Sequence, residues 1–329
     1  MPRTLRAQHD RFALSRPFRI ARGVKAAADV ITVTVEEAGT IGRGEGVPYP
    51  RYGESVEASL AAIEKARAAI EGGAGRHALQ TLLPPGAARN ALDCALWDLE
   101  ARQSGIDVAR LAGLQPPGRL ISALTVGIDT PEAMARVAAR HSEAPLLKVK
   151  VDATDPAARI RAVRSAAPRA ALIVDPNESW DQALLEGIQD VLLEAEVDLV
   201  EQPVAAESDS WLAGFVPAVP ICADEAIHVA ADLDRIALRY QGVNVKLDKT
   251  GGLTAALDLA QAARARGLIL MTGCMISSSL SIAPAFHVAA LSDFVDLDGP
   301  LWLGEDREGG VKDEGGLLMP PVPGFWGNS

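Results

Sequence analysis

Positive charge is in short supply in this sequence. Its 329 residues carry 32 lysines and arginines against 43 aspartates and glutamates, a formal net charge of −11 with a pI near 5.0. That deficit argues against nucleic acid, which needs a basic face to displace counterions, and against an anionic membrane surface. Long apolar runs are missing too. The longest, around 267–276, is interrupted by Thr272 and Gly273, far short of the ~20 residues that a spanning helix requires. The opening MPRTLRAQHDRF has no apolar stretch of the secretory kind, so the expected location is cytoplasmic. Cysteine is scarce: Cys94, Cys222 and Cys274 lie far apart with no CxxC pair, which argues against a zinc ribbon or disulfide scaffold and suits reduced, buried thiols. The five histidines show no ligand spacing and read as surface or core residues. What remains is globular composition, 48% hydrophobic and 23% charged, too apolar for a disordered chain.

Two textures divide the chain. Residues 30–37 (VITVTVEE) alternate, placing Ile31, Val33 and Val35 on one face of a strand. Gly39, Gly42, Gly44 and Gly46 follow and read as a hairpin turn. IGRGEG is not a phosphate loop, because VPYP after it reads as extended chain and no helix opens there. Helices are expected over 54–71 and 88–102, the second with an apolar stripe of Ala91, Leu92, Ala95, Leu96 and Leu99. These elements predict an α+β capping domain over 1–120, ending after the PPG break at 116–118.

Beyond it, short apolar strands alternate with amphipathic stretches. Strands are expected at 122–126, 146–150, 171–175, 198–201, 221–224, 243–247, 268–272 and 294–298. Such alternation predicts a parallel sheet, and eight units favour a modified (β/α)8 TIM-type barrel, in the (β/α)7β form, over 121–303. An open doubly wound sheet is the alternative. Residues 304–329 are expected to pack back on the cap, with Trp302, Phe325 and Trp326 as apolar anchors.

The strand ends carry the chemistry. They hold Lys148 and Lys150, Asp175, Glu201, Asp224, Lys246, and Asp296 and Asp298. Parallel strands are apolar on both faces, so charges gathered at their carboxyl ends converge on the rim where barrel active sites are built. Asp175, Glu201 and Asp224 sit on successive strands, about 4.8 Å apart, and repel unless neutralised. A hard divalent cation with oxygen ligands, Mg²⁺ or Mn²⁺, would do so, and the lack of His and Cys argues against zinc. Lys148 and Lys150 are two apart and share a face. Two adjacent ammonium groups near a metal predict a depressed pKa for at least one, which suits a neutral amine base. Lys246, four strands on, falls on the opposite side of the mouth. Two lysines flanking a metal-bound carboxylate suit removal of an α-proton on one face and its return on the other, with Lys148 stabilising the ene-diolate.

These residues resemble the enolase superfamily, muconate-lactonising-enzyme subgroup, and within it the L-Ala-D/L-Glu (dipeptide) epimerases. The resemblance runs from ARGVK through GEGVPYPRYGES, GAARNALDCALWDLEAR, LLKVKVD, LIVDPNESW, VEQP, ICADE, VNVKLDKTGGLT and GCMISS to VDLDGPLWL. It implies Mg²⁺ ligation by Asp175, Glu201 and Asp224. It implies Lys150 as base for the L configuration, Lys246 for the D configuration, and Lys148 as the contact to the substrate carboxylate. The DxD of Asp296 and Asp298 would hold the dipeptide's α-ammonium and reject an N-acyl group. Arg22, in a loop closing from the cap, would bind a glutamyl side-chain carboxylate. Thr125 and the main chain at Cys274 and Ile276 would line the pocket. Pro176 stands where relatives often have another residue.

The implied activity is a Mg²⁺-dependent epimerase acting on the C-terminal residue of dipeptides from murein metabolism. A lyase or cycloisomerase of the same scaffold, such as o-succinylbenzoate synthase, or an N-acylamino acid racemase, is the alternative. A Schiff-base aldolase gives no reason for the three carboxylates, and a non-catalytic barrel gives none for the full ligand and base set. The expected partner is a small dipeptide, with neither nucleic acid nor membrane. The sequence leaves open whether the chain forms a homo-oligomer.

Overall fold

The alternating segment at 30–37 is the end of a longer strand. β1 (Thr4–Ile20) and β2 (Gly23–Glu37) pair antiparallel from Thr4 opposite Glu36 to Ile20 opposite Gly23, and β3 (Thr40–Gly46) pairs with the other edge of β2. In this computed structural model, which describes residues 2–327, Ile31, Val33 and Val35 are fully buried. They pack with Ile63, Ile70, Leu92 and Leu99 in the core of the cap. Three cap helices supply that surface: α1 (Val56–Glu71), α2 (Arg76–Leu82) and α3 (Ala87–Ser104). Ser55 caps α1, its hydroxyl accepting the Ala58 N–H at 3.1 Å.

The glycines after β2 correct a sequence expectation. Only Gly39 lies in the turn; Gly42, Gly44 and Gly46 are inside β3. A Cβ on them would fall 2.2, 2.1 and 2.2 Å from the carbonyl oxygens of Ala95, Ala91 and Ala87. Glycine at every second position thus lets β3 lie directly on α3, a close approach rather than a turn.

α4 (Val108–Leu111) and β4 (Leu120–Ile121) lead into the second layer. Eight parallel strands follow in sequence order: β5 (Leu124–Val126), β6 (Leu146–Lys150), β7 (Ala171–Asp175), β8 (Leu199–Glu201), β9 (Ile221–Ala223), β10 (Gly242–Val245), β11 (Ile269–Gly273) and β12 (Phe294–Asp296). The outer ring holds α5 (Pro131–Arg140), α6 (Pro156–Ala166), α7 (Gln182–Gly187), α8 (Gln189–Glu194), α9 (Leu233–Ile236), α10 (Leu247–Thr250), α11 (Leu253–Ala265) and α12 (Ser279–Ala289). Only 3₁₀ turns join β8 to β9, and only a 3₁₀ turn follows β12. The ring closes where β12 meets β5. There the Ala123 N–H donates to Val295 O at 2.8 Å, and the Ser122 hydroxyl accepts the Leu297 N–H at 2.9 Å.

The tail folds as β13 (Lys312–Asp313) and β14 (Leu317–Met319), which add to β4. Trp326 then returns to the cap, its indole N–H donating to Arg43 O at 2.9 Å and Cys94 O at 3.3 Å. The three cysteines are free thiols. No helix among the described residues is long and apolar enough to cross a membrane.

Two stability tests follow from this packing. Gly44→Ala must push α3 off β3, and its urea midpoint is expected to fall by the equivalent of about 2 kcal/mol or more. His287 on α12 is buried with Nδ1 unpartnered among the described residues, and burial pushes its pKa from 6.5 down to about 4. The folded chain therefore resists a protonation that the unfolded chain accepts, and stability is lost as pH falls from about 6.5 towards 4. At pH 4.5 the loss from this residue is roughly 2–3 kcal/mol. Urea unfolding at pH 7 and 4.5 is expected to show a shallower acid loss for His287→Gln than for the wild type.

Candidate active site

Period two along each strand builds the site. Ala123, Leu146, Ile173, Leu199, Cys222 and Met271 form an apolar plug inside the barrel. Two residues on, the same inward face carries Thr125, Lys148, Asp175, Glu201, Asp224 and Gly273. A dry layer thus supports a charged one at the carboxyl ends of the strands. Lys246 follows β10, two residues beyond Asn244, and Asp296 ends β12. Gly273 has its own part here: a Cβ on it would fall 2.8 Å from the Asn244 side chain and 3.0 Å from Lys246 Cε. The bare backbone of β11 gives the Lys246 side chain its room.

The three carboxylates and three lysines expected at the rim are brought together. Lys148 Nζ lies 2.6 Å from Glu201 Oε2, 2.7 Å from Asp296 Oδ2 and 3.1 Å from Asp175 Oδ2. Lys150 Nζ lies 2.5 Å from Asp175 Oδ2 and donates to Asn177 Oδ1 at 3.2 Å. Lys246 Nζ lies 2.6 Å from Asp224 Oδ2 and 3.9 Å from Glu201 Oε1. All six side chains are buried. Lys148 and Lys150 share a face and share Asp175, as their spacing requires.

Without a cation, the carboxylates govern the electrostatics of Lys148 and Lys246. Burial pulls the Lys148 ammonium towards deprotonation, but Asp296, Glu201 and Asp175 outweigh it and hold its pKa above the ordinary value. Lys246 is likewise raised, burial being overcome by Asp224 and Glu201. For Lys246 the repulsion from Lys148 is weaker than the attraction of Asp224 and Glu201. Among the acids, burial and the Asp175 charge push Glu201 up to about 7. Asp224 is held low, Lys246 and Lys249 overcoming the cost of burial.

Among the described residues no three acidic, His or Cys side chains are drawn into a formed metal shell; the carboxylates close on ammonium groups instead. The donor set nevertheless fits a hard divalent cation. It is three buried carboxylates on neighbouring strands, and Glu201 Oε2, although 2.6 Å from Lys148 Nζ, is out of line for a hydrogen bond and has no other partner.

The remaining expected residues border one cavity of about 60 Å³ above this layer. Asp296 and Asp298, Arg22, Thr125, Cys274 and Ile276 all face it. Asp298 is two residues past the strand, where its Oδ2 accepts the Thr125 N–H at 2.9 Å and the Trp302 indole N–H at 3.3 Å. Asp296 Oδ1 is buried with no partner among the described residues. Arg22 sits in the β1–β2 turn, and its Nη1 lies 2.6 Å from Glu225 Oε1 and 3.1 Å from Glu178 Oε2. Its charge is already matched by protein carboxylates.

Sequence reasoning missed the supports. Lys249 donates to Asp224 Oδ1 at 2.6 Å, to Asp224 O and to Asn244 O. Asn244 donates to Glu201 Oε1 at 2.8 Å. Gln202, at φ +34°, is more telling. Its Oε1 accepts the N–H groups of Asp224 (2.9 Å) and Ala226 (3.1 Å), and its Nε2 donates to Val204 O and Tyr240 Oη, both at 2.9 Å. The available signal was a run of polar residues, Glu-Gln and Asp-Glu, directly after strands otherwise apolar. Tyr49, Tyr52 and Lys25 reach the cavity from the cap.

Comparison with known proteins agrees with this architecture. Residues 3–113 match the mandelate racemase/muconate lactonizing enzyme N-terminal domain, and residues 131–325 match the enolase C-terminal domain-like family. The chain belongs to the mandelate racemase/muconate lactonizing enzyme family. It is 46% identical over 318 residues to the L-Ala-D/L-Glu epimerase of Escherichia coli K12, covering 96% of this chain and 99% of that one. It is 42% identical over 303 residues to the N-acetyl-D-glutamate racemase of a Pseudoalteromonas species, covering 91% and 96%. An enolase family member of Agrobacterium tumefaciens with homology to dipeptide epimerases, solved with sodium and L-Ala-L-Glu, superposes with a TM-score of 0.97 at 46% identity, covering 99% of this chain and 100% of that one. The Methylococcus capsulatus dipeptide epimerase, solved with Mg and L-Arg-D-Lys, superposes at 0.89 with 32% identity and 99% coverage of both chains. These relatives are epimerases and racemases, and the chain is an enzyme of that isomerase class.

Gln202→Leu tests the scaffold of the site. It leaves the buried N–H groups of Asp224 and Ala226 unpaired, so a loss of roughly 2–4 kcal/mol in urea unfolding is expected.

Proposed function

We propose that the protein is a Mg²⁺-dependent dipeptide epimerase, inverting the α-carbon of the C-terminal residue of dipeptides such as L-Ala-D/L-Glu. The observation that carries this reading is the pair Lys150 and Lys246. They stand on β6 and just after β10, four strands apart, on either side of Asp175, Glu201 and Asp224. These three carboxylates would hold the cation; Mn²⁺ has the same preference for oxygen and would serve in its place. When bound, the cation supplies positive charge that favours the extra negative charge developing on the substrate carboxylate.

The chain's own residues do the rest. Lys150, as the free amine, takes the α-proton from the L substrate, and the bonding pair moves into the carboxylate to give an ene-diolate. Lys148 stabilises that charge. Lys246, as the ammonium, returns a proton to the opposite face and so inverts the centre. In the D-to-L direction the roles exchange. Asp296, with its unpartnered Oδ1, and Asp298 receive the substrate α-ammonium. Two carboxylates suit a free –NH₃⁺ and disfavour an N-acyl nitrogen.

An N-acylamino acid racemase is the second reading, favoured by the likeness to an N-acetyl-D-glutamate racemase. It would use the same lysines but gives no work to Asp296 and Asp298. Recycling of murein peptides in the cytoplasm is the setting that fits the dipeptide reading.

With Mg²⁺ in D₂O, the glutamyl α-proton signal of L-Ala-L-Glu is expected to disappear in the NMR spectrum. Lys150→Ala and Lys246→Ala are each expected to abolish epimerisation, by about 10³-fold or more. Full activity in either variant overturns the two-base scheme. Turnover of N-acetylglutamate but not L-Ala-L-Glu favours the second reading.

A further inference from the structure

We infer that Glu178 is a positioning residue for one of the two bases, holding Lys150 through Asn177, and that the cap sustains Lys150 and Lys246 through separate contacts. The inference rests on the two-base reading above and goes beyond it.

An amine takes a proton only along its lone pair, so each base needs a fixed direction. Among the described residues Lys150 has two partners that can fix it. One is Asp175 Oδ2 at 2.5 Å, but Lys148 shares that oxygen at 3.1 Å, and its carboxylate is one that would face the cation. The other is Asn177 Oδ1, which accepts from Lys150 Nζ at 3.2 Å and is not shared with another lysine. Asn177 therefore sets which way the amine points.

The Asn177 side chain is placed by an unfavourable backbone. Asn177 has φ +47° and Glu178 φ +69°, two consecutive non-glycine residues in the left-handed region. Such a conformation persists only where its surroundings hold it. Here Glu178 is the point of attachment. Its carboxylate accepts from Arg51 Nε and Nη2, both at 2.8 Å, from Arg22 Nη1 at 3.1 Å and from the Ala206 N–H at 3.0 Å. Its own N–H donates to Gln202 O at 2.9 Å. Arg51 stands in the 3₁₀ turn Pro50–Tyr52 of the cap. The cap thus reaches Lys150 in three steps: Arg51 to Glu178, Glu178 to Asn177 along the chain, and Asn177 to the amine.

Lys246 is held by different contacts. Its Nζ lies 2.6 Å from Asp224 Oδ2, and Lys249 on α10 donates to the other oxygen of that carboxylate at 2.6 Å. Two residues past Lys246, Asp248 accepts from the Val47 N–H and from Asn90, both at 2.8 Å and all buried. One base is fixed by buried hydrogen bonds between cap and barrel, the other by an ion-paired loop. Loosening the ion pairs should weaken one face of the site and spare the other. Arg22 cannot separate the two, because it also lies 2.6 Å from Glu225, the neighbour of Asp224. Arg51 pairs with Glu178 and Glu207 and does not line the cavity.

The test follows early loss of the glutamyl α-proton signal in D₂O with Mg²⁺, from L-Ala-L-Glu and separately from L-Ala-D-Glu. Lys150 takes the first proton and Lys246 the second. Exchange carries the comparison, because the two kcat/KM values for epimerisation are tied by the equilibrium constant and must fall together. Asn177→Gly keeps the positive φ and removes the amide, and its exchange rate with the L isomer relative to the D isomer should fall about tenfold or more. Glu178→Gln and Arg51→Met should lower the ratio in the same sense and by less. Hydrogen exchange of the 177–180 amides, read without Mg²⁺, should quicken in Arg51→Met. The Arg51 side chain is 29% exposed, so this variant keeps the test open if Asn177→Gly fails to fold. Equal losses for the two isomers, an unchanged ratio in Asn177→Gly or Arg51→Met, or unchanged amide exchange at 177–180 overturns the inference and leaves the proposed function standing. A wild type that exchanges neither isomer overturns the proposed function, and the inference with it.

Discussion

Three carboxylates buried side by side on adjacent strands cannot stay ionised without positive charge among them, and the rest of the site follows from that constraint. Desolvation alone costs several kcal/mol per ion, so each acid needs partners fixed at short range. The barrel provides them by geometry. Parallel strands bring the inward residues at their carboxyl ends close together, with Lys150 opposite Asp175 in register and Lys148 one inward position deeper, so the lysines and the three acids are neighbours. The lysines are the counter-charges of the acids. That is why Glu201, poorest in aligned donors and pressed by the Asp175 charge, is pushed up to about 7 while Asp224, with Lys246 and Lys249 upon it, stays low. The same imbalance makes Glu201 the carboxylate with most to gain from a nearby cation.

The cap is joined to the barrel by two kinds of contact, and their difference sets what can move. The seam under α3 is buried and fully bonded. Asp248 accepts from Val47 N–H and Asn90, both at 2.8 Å, and Asp93 accepts from the Thr254 N–H and hydroxyl. Glu45 accepts from the Ser278 N–H, the Ser278 hydroxyl and Arg307. Such networks are costly to open part-way, so this seam is rigid. The far end of the β1–β2 hairpin is held by fewer bonds, the Ile128 N–H donating to Arg19 O at 3.4 Å and Arg22 to Asn177 O at 3.1 Å. Arg22 and Arg51 tie the cap to Glu178, Glu207 and Glu225 by ion pairs whose arginines remain partly exposed. The Arg51–Glu207 pair is partly exposed on both sides and individually weak, whereas Arg22 closes on Glu225, whose side chain is buried.

The sequence displayed the barrel and its charged rim because both obey a short period. Apolar strands recur, and most inward charges at the strand ends are two steps beyond an apolar residue, as Lys148 is beyond Leu146 and Asp175 beyond Ile173. The (β/α)7β pattern was legible for the same reason. β1 was not, because it lies at the edge of the cap with alternately half-buried and exposed positions, and RAQHDRF has no apolar alternation to read. Gly42, Gly44 and Gly46 looked like a turn because glycine in sequence does not distinguish freedom of φ from lack of a Cβ; only the position of α3 decides. The carboxylates around Lys148 were not legible, because the sequence shows the two neighbouring lysines on one strand but not the acids brought from β8 and β12. Gln202 and Lys249 were silent for a related cause: their work is to bond main-chain atoms of other strands, and no local pattern records it.

The position of the two proposed bases also separates them from Lys148. In a ring of eight strands, four steps is half a turn, so Lys150 and Lys246 approach a centrally held α-carbon from opposite sides. A pair on neighbouring strands would meet the same face and would exchange a proton without inverting the centre. Lys148 belongs to the same strand as Lys150 but lies two residues deeper, roughly 6–7 Å lower along the strand. Three carboxylates surround it there, which stabilises its ammonium form and ill suits it to take a proton. In the proposed mechanism, depth in the barrel therefore sorts chemically identical side chains into roles: the deep lysine would answer negative charge on the carboxylate, and the two shallow ones would handle the proton.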